Sequence, residues 1–90
     1  MVAEEFTQTL TQEGFEPPVT LQREAHGQMD VHTHPFEAKA LLQAGEIRIA
    51  TQGTERGYRS GDIFHVPANE PHAESYGPEG VTYLVGRKTA

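Results

Sequence analysis

From Ala3 to Glu13 the apolar positions Ala3, Phe6 and Leu10 fall three and four apart, the spacing that keeps side chains on one face of a helix. Gly14 follows where such a helix would stop, and Pro17 and Pro18 forbid its continuation. The spacing therefore predicts one short amphipathic helix over residues 3–13. Beyond Val19 the pattern changes to short stretches of alternating apolar and polar residues. Strands are expected at 19–25, 28–34, 36–44, 46–51, 56–59, 63–66, 72–76 and 81–86. Gly27, Pro35, Gly45, Gly53, Gly61, Pro67, Pro71 and Gly80 punctuate them. Several short strands with no helix between them favour an antiparallel sandwich or barrel over a parallel sheet. A barrel would also remove exposed strand edges.

Ninety residues suffice for one core and not for two. We divide the chain into a helix and lead-in over 1–18 and one β-domain over 19–90. Leu, Ile, Val and Phe supply only 18 residues, while Gly and Pro supply 15, so the core is thin and turns are frequent. Burial of further surface in a homodimer is expected on that ground. A formal charge of −6 disfavours nucleic acid and anionic membranes as partners. No apolar run approaches the roughly 20 residues of a bilayer span, and the N-terminus lacks the layout of a secretion signal, so a cytoplasmic protein is expected. With no cysteine, a metal site would have to rely on imidazoles and carboxylates.

His32-Thr33-His34, followed 38 positions later by His72, supplies such groups. On an extended chain His32 and His34 point to one side, and a third imidazole arriving on a distant strand could complete a metal site. Strict alternation over 28–34 puts Gln28, Asp30, His32 and His34 on one face and Met29, Val31 and Thr33 on the other. A polar inner face is costly unless its groups are paired or hold a ligand. Glu74 lies two residues after His72 and shares its face, with Tyr76 beyond. It can orient an imidazole or act as a base, or it can be a solvated strand glutamate near the mouth of the fold. His26, beside a turn, and His65, opposite Phe64 and Val66 in the alternation, read as structural or surface residues.

These residues also carry a resemblance. The chain resembles the cupins, small β-barrels with paired motifs of the form G-x5-H-x-H-x3,4-E-x6-G and G-x5-P-x-G-x2-H-x3-N. The first is matched by Gly27, His32, His34 and Gly45; the second by Gly61, Pro67, His72 and, at the two altered positions, Asn69 and Tyr76. Fifteen residues separate Gly45 from Gly61, as in a minimal cupin. Three departures stand out besides Tyr76, which stands where the pattern has Asn. Gly27 is one residue nearer to His32 than the pattern asks. Asn69 replaces a glycine, and Asn tolerates a left-handed backbone. Ala38 occupies the place of the usual carboxylate ligand, while the adjacent Glu37 faces the other way unless a bulge turns it inward.

The resemblance implies an all-β antiparallel barrel of jelly-roll type, preceded by a short helix, with a divalent metal on His32, His34 and His72. Imidazole ligands suit iron, manganese, nickel or zinc. Such a centre implies an oxygen-bearing small-molecule ligand, with Glu74 as a catalytic base or orienting group. The enzymatic reading is a dioxygenase-like or isomerase-like reaction; the alternative is a non-catalytic module that binds or senses a metabolite or metal.

Overall fold

The protein is described here by a computed structural model over residues 2–89. Helix α1 (Ala3–Gln12) begins without a side-chain cap, but Glu4 and Glu5 in its first turn oppose the positive end of its dipole. Its end follows from Gly14. With φ at 86°, Gly14 adopts the left-handed turn, its N–H donates to Thr11 O, and the Phe15 N–H reaches back to Leu10 O. Phe15 and Leu10 then enter one apolar cluster with Phe6 and Leu41, the contact that typically accompanies this helix ending. Ile63 and Leu84 border the cluster, so the helix covers the outer face of the sheet.

Six strands follow: β1 (Val19–Arg23), β2 (Gln28–His32), β3 (Phe36–Thr51), β4 (Thr54–Arg59), β5 (Ile63–Val66) and β6 (His72–Thr89). All pairings are antiparallel. Two of the expected breaks, Gly45 and Gly80, do not end strands. They lie inside β3 and β6, which pair with each other from Phe36↔Thr89 to Ala50↔Ala73 as one long bent ribbon. Register shifts at Leu42/Ala44 and Gly45/Ile47 mark the bend. Both glycines have positive φ there, 77° and 72°. A Cβ on Gly45 would collide with the Gly80 carbonyl oxygen, so the two backbones meet more closely than any side chain permits.

The bend divides the ribbon into two halves, each flanked on both sides. One half reads β2-β6-β3-β4 and the other β1-β6-β3-β5. This is the expected antiparallel, jelly-roll-type architecture, with one correction. The sheet is not strictly closed, since β1, β2, β4 and β5 each pair on one side only.

The interior is filled by Ala38, Ala40 and Leu42, then by Ile47 and Ile49, after the shifts in β3 change which parity faces inward. In β6 the same change takes Tyr76 to Val81, Tyr83 and Val85. Among the described residues no helix is long and apolar enough to cross a membrane.

Candidate metal centre

The centre is built on the pairing of β2 with the first half of β6. Met29 lies opposite Glu74, and His32 opposite His72, so three steps along β2 match two along β6. That is a β-bulge, and it changes the parity of the strand. The expected polar face of Gln28, Asp30, His32 and His34 is therefore corrected: Gln28 and Asp30 are exposed, whereas Met29 shares the interior with His32. Val31, within the bulge, is 71% exposed.

Each of the three imidazoles is fixed by its own backbone. His32 Nδ1 is 2.7 Å from Asp30 O, His34 Nδ1 is 2.9 Å from Phe36 O, and His72 Nδ1 is 2.9 Å from Glu70 O. A carbonyl oxygen can only accept, so Nδ1 carries the proton in all three rings. In the neutral ring, Nε2 then holds the lone pair that a metal requires. His72 is 1% exposed and is the sole buried polar or charged residue among those described.

Glu74 Oε2 lies 3.5 Å from His72 Nε2 and 3.9 Å from His32 Nε2. A tetrahedral shell with bonds of about 2.0 to 2.1 Å sets its donors about 3.3 Å apart, close to the separation of Glu74 from His72. Among the described residues, His32, His72 and Glu74 are the group whose ligand atoms all fall within 4.8 Å of one another. The His34 ring stands 5.0 Å from the His72 ring and 6.2 Å from the His32 ring, centroid to centroid. It is stacked at 4.1 Å on Phe36, over which the Arg87 guanidinium lies at 4.8 Å.

The other oxygen of Glu74 accepts the Tyr76 hydroxyl at 3.0 Å. Burial, then the adjacent Glu74 charge, push the Tyr76 pKa well above the ordinary tyrosine value, so Tyr76 stays a donor. Glu37 does not turn inward. Its carboxylate accepts from His65 Nε2 on the outside of the sheet. Ala38 is buried where the family pattern has its carboxylate, and Asn69 takes the left-handed φ of 65° expected of it while its N–H holds His34 O at 2.8 Å.

Beside the histidines lies a cavity of about 90 Å³, bordered by Arg23, Met29, Ala38, Phe64 and Tyr83. A larger depression, about 280 Å³, runs along the outside of the β2 half between exposed side chains such as Asp30, Arg48 and Glu55. Arg23 was not among the expected site residues. The available signal was its position two residues from Leu21, which makes both of them interior-facing members of β1.

Neither protein-family models nor curated protein sequences match this chain. Its fold, however, is shared by many solved structures. The cupin domain of Cnp3 from Schizosaccharomyces pombe superposes with a TM-score of 0.71 at 16% identity, over 79% of this chain and 50% of that one. An RmlC-like cupin from Shewanella frigidimarina gives 0.70 at 22% identity, over 82% of this chain and 66% of the other. The DMSP lyase DddQ from Ruegeria pomeroyi gives 0.69 at 26% identity, over 77% of this chain and 36% of the other. The chain thus spans about half to two thirds of the length of the first two, and about a third of the lyase. With that architecture and these neighbours, the chain has the cupin fold.

Proposed function

We propose that this protein binds a divalent first-row metal ion through His32, His72 and Glu74, with His34 as a further imidazole at the rim, and that the ion presents a small oxygen-bearing organic molecule to the cavity. The observation that carries the reading is the shared tautomer: three Nδ1 atoms spent on backbone carbonyls leave three Nε2 lone pairs, two of which converge with a carboxylate oxygen. Glu74 then supplies from β6 the carboxylate that Ala38 cannot supply from β3. Its role as a ligand replaces that of a free base, because one oxygen faces the imidazoles and Tyr76 holds the other.

When bound, such an ion acts as a Lewis acid toward an oxygen donor. The chain's own part is to fix the imidazoles, hold the Glu74 carboxylate in one orientation, and enclose the ligand among Ala38, Phe64 and Tyr83. That DddQ is a lyase agrees with an enzymatic role, while a binding or sensing role uses the same site without turnover.

The test is elemental analysis of untagged protein, with and without His72→Ala. Wild type is expected to retain about one equivalent of iron, manganese, nickel or zinc, and His72→Ala almost none while staying folded. Full metal content in the His72→Ala protein rejects the centre. Metal-dependent product formation from small hydroxy or oxo acids would assign catalysis; saturable binding without product would assign the binding module.

A further inference from the structure

The cavity holds a charged group that the proposed centre does not use. Arg23, on β1, faces inward beside Leu21, and its Nε is buried without a hydrogen-bond partner. A buried N–H with no acceptor costs about 1 to 3 kcal/mol, so it is ordinarily satisfied by something. The Tyr83 hydroxyl, its near neighbour, favours the charged guanidinium, against the opposing effect of burial. Arg23 therefore remains a cation whose Nε donor has no acceptor among the described residues.

His32, His72 and Glu74 line the same cavity of about 90 Å³ as Arg23. Apolar or aromatic side chains also line it: Met29, Ala38, Phe64 and Val66. Glu74 neutralises one positive charge, yet a divalent ion together with Arg23 would leave the interior with a net charge of +2. A neutral acceptor could satisfy Arg23 Nε but would leave that charge uncompensated, and a cation would be repelled. Arg87 also borders the space, but it is exposed and already engaged over the Phe36 ring.

We infer that Arg23 is the anchor for a ligand carboxylate, and that the molecule this cavity takes is a short-chain carboxylic acid bearing a second oxygen, such as a 2-hydroxy or 2-oxo acid. The inference rests on the proposed metal centre for one end of the ligand only. The planar guanidinium matches a carboxylate through parallel N–H donors, which lysine cannot reproduce. A cavity of about 90 Å³ suits an acid of a few heavy atoms.

Glycolate and its uncharged isostere glycolamide test this by titration calorimetry on zinc-loaded protein, with metal content measured on every sample. Glycolate is expected to saturate wild type and glycolamide to bind about tenfold or more weakly. Arg23→Gln is expected to lose about tenfold or more in glycolate affinity, Arg23→Lys to fall between, and Arg87→Gln to stay within about twofold. Circular dichroism and melting establish that each variant is folded, and Arg23→Lys keeps the test alive if Arg23→Gln is not. A folded Arg23→Gln or Arg23→Lys with wild-type affinity, equal binding of glycolate and glycolamide, or no saturable glycolate binding by wild type overturns the anchor.

The two readings fail separately. Zinc held at full stoichiometry with silent Arg23 variants removes the anchor and leaves the centre. Glycolate binding that needs Arg23 in protein unable to hold any metal removes the centre and leaves the anchor.

Discussion

At the scale of single residues, the chemistry of this chain is set by which ring atom carries the proton and which oxygen is already taken. His32, His72 and Glu74 were legible because the spacing of the histidines and the two-residue step from His72 to Glu74 are properties of the text. Arg23 was legible only as an interior-facing neighbour of Leu21, because nothing in an isolated Leu-Gln-Arg stretch announces a donor buried without a partner. Tyr76 supports Glu74, so Tyr76→Phe should weaken metal affinity by about tenfold to 100-fold, the range typical of groups that orient ligands, as read by competition with a metal-sensitive dye.

The buried tyrosines also predict a dependence on pH. Tyr76 and Tyr83 have pKa values raised above the ordinary 10.0, in each case chiefly by burial. The unfolded chain then loses these protons at lower pH than the native one, so their contribution to stability is complete below pH 10 and declines as pH rises beyond it. Denaturant melts across the alkaline range should show falling stability there, with a smaller fall in Tyr76→Phe. An unchanged slope in that variant would show that Tyr76 is not the group responsible.

At the scale of elements, the helix and the strand segments were readable from periodicity, because each short stretch carries its own alternation. The long-range pairing was not. Gly45 and Gly80 look like stops in one dimension, yet they permit two long strands to bend together at a point of backbone contact. Gly45→Ala should therefore destabilise the protein by at least about 2 kcal/mol, from left-handed strain together with the collision at Gly80, measurable as a lower denaturation midpoint. The bulge in β2 was equally hidden, since its cause is the partner strand. Deleting Val31 shortens the interval from Met29 to His32 to two residues, which regular alternation already places on one face. The deletion should keep metal binding within about tenfold of wild type, well short of the loss expected when a ligand is removed; loss of all binding would show that the bulge shapes the centre as well as aiming it.

At the scale of the whole molecule, a 90-residue chain has little stability to spare, about 5 to 15 kcal/mol for proteins in general. The helix is part of that total. Phe6 and Leu10 are fully buried, and a methyl added at Gly86 would sit 2.7 Å from Leu10 Cδ1, so helix and sheet are in tight contact. Leu10→Ala should cost about 2 to 5 kcal/mol and lower the melting temperature by roughly 10 to 30 °C, with no direct effect on metal stoichiometry in the folded fraction. A change within a few degrees would mean that the helix is dispensable to the β-domain. The fold class was legible at this scale because strand-rich text without intervening helices admits few architectures. The open edges were not, because closure depends on how far β3 and β6 bend, which no local residue pattern records.

One of those edges has a kinetic meaning. β2 hangs from β6 alone, through a short and irregular set of pairs, whereas His72 and Glu74 belong to a strand held on both flanks. Peeling β2 away would carry His32 off and leave the other two donors in place, without melting the interior. The exit of a bound ion, and the entry of its successor, would then be timed by the fraying of a single rim strand rather than by the unfolding of the protein.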